Sequence, residues 1–216
     1  MRKILNLIYS IYFNFRYLPL HQAIYLPIYV TTNLRDVKLR RGQIIINAPM
    51  SYKLIQVGGG KSPGMQCFNS GLHIAKGGSI TFKGKAIISQ GTVLRCDNNS
   101  TIEFGHDFYC NCNCYMRSSR KISFGDECAL GWGITINTSD GHHVWHNGEK
   151  QKMEAPIIVG NNVWITPNCS FSKGAIVPDG CIVAQKAVVT KPFSECNCVI
   201  GGVPAKVISY NITWKP

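Results

Sequence analysis

A six-residue beat runs through the second half of the chain. Val159, Ile165, Phe171, Val177, Val183 and Val189 are apolar and stand six apart, and Val163, Cys169, Ala175, Cys181 and Ala187, all small or short, keep the same beat four residues behind. An amphipathic helix repeats every 3.6 residues and a half-buried strand every two, so neither element produces the pattern. A period of six is what a parallel β-helix requires: each flat face of the coil takes six residues, and three faces close one turn.

The beat reaches back toward the N-terminus through Phe124, Leu130 and Ile136, then Phe104, Cys110 and Met116, then Phe82, Ile88 and Leu94. Each coil opens with Ile, any residue, a large apolar residue and a nearby Gly, at Ile80–Gly84, Ile102–Gly105, Ile122–Gly125 and Ile157–Gly160. The starts lie 22, 20 and 35 residues apart. Coils of about 18 residues, with insertions of about four, two and 17, account for these intervals. The large insertion begins near His142. The expected organisation is an amphipathic helical segment and basic linker at 1–40, a β-helix at 41–200 carrying an inserted loop at 143–156, and a tail at 201–216. Ile44–Ile46 reads as the first strand.

With 216 residues, 45% hydrophobic and 16% charged, the chain can bury a core and is not a disordered segment. Its net charge of +12 points to a phosphate-bearing ligand or an anionic membrane surface; no nucleic-acid partner is expected. Ten irregularly spaced cysteines read as reduced thiols in a cytoplasmic, reducing compartment. Cys110, Cys112 and Cys114 invite a zinc site. The beat turns Cys110 and Cys114 inward as packing residues, however, and no metal is expected. Gly60-Lys61-Ser62 is not a phosphate-binding loop, because Ile55 stands where that motif needs Gly and Pro63-Gly64 oppose a following helix.

Ile4 to Tyr17 is apolar but broken by Asn6, Ser10 and Asn14, and ended by Arg16 and Pro19. It is too short to span a bilayer, which takes about 20 apolar residues. The three polar residues, four apart, line one face of a helix, and Leu5, Ile8, Tyr9, Tyr12 and Phe13 the other. Such a helix packs on its own protein or lies in a membrane interface, so residues 1–30 are a candidate peripheral membrane contact. A second short helix is expected at Gln22–Val30, interrupted by Pro27.

His142, His143 and His146 follow Asn137-Thr138-Ser139-Asp140-Gly141. A neutral imidazole with a pKa near 6.5 can take a proton from a hydroxyl at physiological pH. His142 is the expected general base, with Asp140 placed to hold the ring or stabilise its charged form.

Ser139-Asp140-Gly141-His142, Ile157–Ile165, Lys173-Gly174, Val188-Val189-Thr190-Lys191 and Gly202-Val203-Pro204-Ala205-Lys206, with Trp214 closing the chain, resemble the hexapeptide-repeat acetyltransferases. They are most similar to the sugar O-acetyltransferases of bacterial surface-polysaccharide pathways. The resemblance covers roughly residues 75–214. It implies a left-handed β-helix, a homotrimer, and acetyl-CoA as acyl donor in a groove between subunits. It also implies a sugar or glycan acceptor. Carried over by position, His142 is the base, Trp164 and Thr166 border the cofactor arm, Ala184 admits the pantetheine, and Thr190, Lys191 and Lys206 lie toward the phosphates and adenine. The chain departs from the pattern where Thr166, Ser172, Pro178 and Ala184 replace a common Gly. The alternatives are an amino-sugar N-acetyltransferase, a silent scaffold, and a metal enzyme like the γ-class carbonic anhydrases.

Overall fold

The structure, a computed structural model, describes residues 2–60 and 62–215. Lys61, in the segment rejected as a phosphate-binding loop, lies outside them. The chain opens with helices α1 (Arg2–Tyr17) and α2 (Leu20–Ala23) and continues through strands β1 (Ile28–Val30), β2 (Leu34–Lys38) and β3 (Ile44–Ile46). From there to Val188–Val189, apart from the two short strands of the long insertion, successive strands join three sheets in rotation. The first face has nine strands, the second seven and the third six. Within each face the coils pair in parallel, one above the next, and only the last strand of the first face runs antiparallel among the described residues. This is the left-handed parallel β-helix the resemblance implied.

The six-residue beat is the inward column of each face. On the first face Val57, Ile88, Cys110, Leu130, Ile165, Val183 and Ile200 stack in register. On the second face the column is Leu72, Leu94, Met116, Ile136, Phe171 and Val189. The openings Ile44, Ile80, Ile102, Ile122 and Ile157 are register partners on the third. All but a few of these side chains are essentially out of water, and apolar burial of this kind drives the fold. Phe82, Phe104 and Phe124 stack at 5.2 and 5.7 Å between centroids. The small set fills the corners: Val163, Cys169, Ala175, Cys181 and Ala187 are fully buried. Cys110, Cys112 and Cys114 are buried as well, and burial pushes the Cys128 thiol up to about 12.

The glycine in each coil opening answers a close approach. A Cβ on Gly125 would meet the backbone N of Asn161 at 2.7 Å, and one on Gly160 the N of Asp179 at 2.7 Å. At this corner the side chains form a ladder: Asn161 accepts from the N–H of Asp126 at 2.9 Å and Asp179 from that of Asn161 at 2.7 Å.

The N-terminal part departs from three expectations. No helix spans Gln22–Val30; after α2, Leu26 takes a left-handed φ of 47°, Pro27 blocks helix continuation, and Ile28-Tyr29-Val30 run as a strand. Arg35–Gly42 is not simply a linker, because β2 pairs with Ser70–His73 on the second face while its charged side chains point to solvent. Ile44–Ile46 is therefore the third strand, and the solenoid begins at Ile28. At the other end, the tail boundary at 201 falls inside the strand Val199–Gly202, against which Ala205–Ser209 folds back antiparallel.

Helix α1 packs on its own protein, and it does so through its polar stripe, which faces inward. Strand β1 pairs with Ile55–Val57 on one side only, leaving alternate backbone groups on its outer edge without a strand partner. Asn14 accepts from the Ile28 N–H at 3.1 Å and donates to the Ile28 carbonyl at 2.6 Å. Ser10 accepts from the Val30 N–H at 3.0 Å, and Asn6 from the Thr32 N–H at 2.9 Å. The periods match: four helical residues rise about 6 Å and two strand residues about 6.6 Å. A polar side chain every fourth position thus meets an open backbone site every second. Arg41 donates to the terminal carbonyls of Phe15 and Arg16, as a cation at a helix C-terminus should. Helix α1 is the cap that a solenoid's exposed first strand needs.

Candidate active site

The long insertion is a hairpin arm rising from the corner between the second and third faces. Its limbs are laced by Ala155 N–H to Thr138 O at 3.1 Å, Asp140 N–H to Met153 O at 3.0 Å and Gln151 N–H to Val144 O at 2.8 Å. Trp145–His146 pairs with Glu149–Lys150. Asn147 and Gly148 both take positive φ, 51° and 81°, the two-residue turn that Asn-Gly favours because its twist matches the strands. That dipeptide was the sequence signal for a hairpin where only a loop was expected.

His142 stands at the foot of the arm, exposed, one residue after Gly141, whose φ of 76° turns the chain outward. Gly141 N–H donates to Ser139 Oγ at 3.1 Å, and the buried Thr138 hydroxyl accepts from Ser119 N–H at 2.7 Å. The Asp140 carboxylate accepts through Oδ2 from the Lys173 ammonium, which also donates to the Lys152 carbonyl. Ile136 and Phe171 are register partners, so Lys173 sits one coil above Thr138 and reaches both limbs of the arm. The sequence pattern carried Lys173 without a role; coil stacking supplies one. Beside the arm an open cleft of about 470 Å3 is lined by Arg120 and Lys152–Pro156.

The expected cofactor residues divide. Trp164, Thr166 and Ala184 belong to the first face, where Trp164 pairs with Ile182 of the next coil. Thr166 and Ala184 each follow an inward residue, in one column with Gly131 and Gly201; their N–H groups donate to Val183 O at 3.0 Å and Ile200 O at 2.8 Å. The residues at these four positions are small. The Trp164 ring is 40% exposed and lies 5.9 Å from the ring of Trp214, whose Nε1–H donates to Asn162 O at 2.8 Å. Lys206 is exposed on the returning strand of the same face, opposite Gly201. Thr190 and Lys191 lie instead at the corner between the second and third faces, below which the arm of His142 emerges. Lys191 Nζ stands 5.8 Å from the Phe193 ring centroid. Within one chain, His142, Asp140, Thr190 and Lys191 thus occupy one edge of the prism, while Trp164, Thr166, Ala184 and Lys206 belong to the first face.

No model of a known protein family matches the chain. The galactoside O-acetyltransferase of Escherichia coli (strain K12) is 33% identical over 113 residues, 50% of this chain and 54% of that protein. The polysialic acid O-acetyltransferase of Escherichia coli O1:K1 / APEC is 28% identical over 135 residues, 61% of this chain and 41% of that protein. The chain is a homologue of sugar and polysaccharide O-acetyltransferases. It spans about half the length of these curated relatives. Among solved structures, the polysialic acid O-acetyltransferase OatWY superposes with a TM-score of 0.55 over 88% of this chain and 90% of that one, at 23% identity. That likeness is one of fold. No helix among the described residues is long and apolar enough to cross a membrane.

Proposed function

We propose that the chain is an acetyl-CoA-dependent O-acetyltransferase that acetylates a sugar hydroxyl in the biosynthesis of a surface polysaccharide such as a capsule, O-antigen or exopolysaccharide. The homologous proteins named above act as acetyltransferases on sugars and glycans. The observation carrying the reading to these residues is their division between the His142 edge and the first face. In a homotrimer of parallel coils, one subunit's edge faces its neighbour's first face. Each site would then be completed between two chains.

In this assignment acetyl-CoA supplies an activated thioester carbonyl. The small residues at Thr166 and Ala184 suit a narrow, extended pantetheine arm, and Lys191 and Lys206 offer exposed ammonium groups to its phosphates. His142 takes the proton from the acceptor hydroxyl as that oxygen attacks the carbonyl, and returns it to the departing thiolate. No covalent enzyme intermediate is needed. Asp140 acts through Lys173, which ties the arm to the next coil and so positions His142. The cleft beside Arg120 and Lys152 is the acceptor's place. The reaction belongs in the cytoplasm, at the inner face of the membrane when the acceptor is lipid-borne.

The test is calorimetric titration of the oligomer with acetyl-CoA, beside Lys191→Ala and Lys206→Ala. Saturable binding weakened by either substitution supports the assignment. A folded oligomer that binds no acetyl-CoA overturns it in favour of a silent scaffold.

A further inference from the structure

The inverted packing of α1 has a consequence at the surface. Because Asn6, Ser10 and Asn14 are consumed by the edge of β1, most of the apolar arc of the helix is turned to solvent, and only Tyr9 and Phe13 at its margin pack on the core. Ile4, Leu5, Ile8, Ile11, Tyr12 and Phe15 are exposed, Ile4 by 64%, Ile8 by 59% and Tyr12 by 57%. Leu20, Ile24 and Tyr25, in and just after α2, are exposed as well. Among the described residues, ten of the 22 exposed large hydrophobics lie in the first 25 positions. A concentration of that kind marks an interaction surface, since scattered apolar residues would not gather on one short segment.

Charge identifies the occupant. Residues 1–35 contain Arg2, Lys3, Arg16 and Arg35 and no acidic residue; through residue 60 there are eight Lys and Arg against Asp36 alone. Arg2 and Lys3 stand at one end of α1 and Arg16 at the other. A second copy docked by a two-fold axis would bring this basic rim against itself with no carboxylate to pair it. An anionic lipid surface would neutralise the same rim while its acyl boundary receives the apolar arc.

We propose that the outward face of α1, joined by the exposed residues of α2, is a monotopic docking surface for anionic lipid. The helix lies in the plane of the interface, held by its polar face to the solenoid and by its apolar face to the membrane. This surface deepens the peripheral contact named above and does not depend on acyl transfer: vesicle binding and acetyl-CoA binding can each fail without the other.

The test is flotation of the full-length protein with vesicles of phosphatidylcholine alone and with added phosphatidylglycerol, at low and high salt, with oligomeric mass measured in parallel. The comparison variant is Ile8→Glu with Tyr12→Glu, at positions exposed enough to leave the fold intact, verified by its melting curve. The expected result is binding that requires the anionic lipid, falls with salt, and drops about tenfold or more in the variant. No flotation of the parent protein, or flotation equal in parent and variant, overturns the proposal. So does a variant whose oligomer dissociates while the parent ignores vesicles, since the face then joins copies of the chain.

Discussion

Replacing Asn14 by Leu separates the observed packing of α1 from the arrangement its composition invites. Were the polar stripe in water, a leucine there would be neutral or mildly favourable to helix formation. In the structure Asn14 is fully buried and makes three hydrogen bonds, to Ile28 N–H at 3.1 Å, Ile28 O at 2.6 Å and Ser10 O at 2.7 Å. The substitution leaves both backbone groups of Ile28 buried without partners, at roughly 1–3 kcal/mol each. The leucine recovers about 1–2 kcal/mol of apolar burial. The middle of these ranges is a net loss of about 2–3 kcal/mol, concentrated at the first coil because each coil of a solenoid contacts only its neighbours. Hydrogen exchange at Ile28 and Val30 is the sharpest assay: protection there falls roughly 30- to 200-fold, while amides around Ile165 and Val183 keep theirs. Unchanged protection at Ile28, or a gain in stability, would refute the capping role and return the polar stripe to solvent.

Three further outcomes follow from the site and its support. His142→Ala lowers turnover by about two to four orders of magnitude, the range for losing a general base, with the melting temperature unchanged because the side chain is exposed; activity within a few-fold of the parent removes His142 from the mechanism. Lys173→Met frees the arm, so that proteolysis within residues 143–152 accelerates about tenfold and turnover falls, while Lys173→Arg restores both; equal cleavage rates would show that Lys173 does not hold the arm. Asp97 accepts from Arg95 and Arg117 at 2.9 Å and from Ser119 at 2.7 Å. Burial alone would push its carboxyl up, but these bonds outweigh that and hold it below the usual carboxylate range. Asp97→Asn therefore costs about 1–3 kcal/mol near neutrality. The difference from the parent is full above the ordinary value of about 4 and fades as pH falls through the depressed one; a gap that is constant with pH would contradict this.

The inward columns were legible from residue identity because the β-helix repeats one environment every six positions. Phe82, Ile88 and Leu94, and Val177, Val183 and Val189, meet the same interior in different coils, so the pattern survives insertions of unequal length. Even the unequal starts Ile80, Ile102, Ile122 and Ile157 are direct register partners. The first coil was not legible: the stretch around β1 and Pro27 looks like a broken helix, and the outward Arg35, Asp36 and Lys38 make β2 look like a linker. His142 could be picked out by its chemistry and its neighbours in sequence. The role of Lys173 could not, since it meets Asp140 and the Lys152 carbonyl only when coils stack.

What the amino-acid sequence determined by itself is therefore whatever depends on local period and residue type: the solenoid, its core, the position of the insertion and the candidate base. Tertiary structure alone decided the direction of α1. The moment of that helix is clear from its residues, but which side turns inward depends on what the neighbouring surface lacks. A hydrophobic groove would have taken the apolar arc. An unpaired strand edge, with bare N–H and C=O groups every second residue, takes the asparagines and the serine and leaves most of the apolar arc outside.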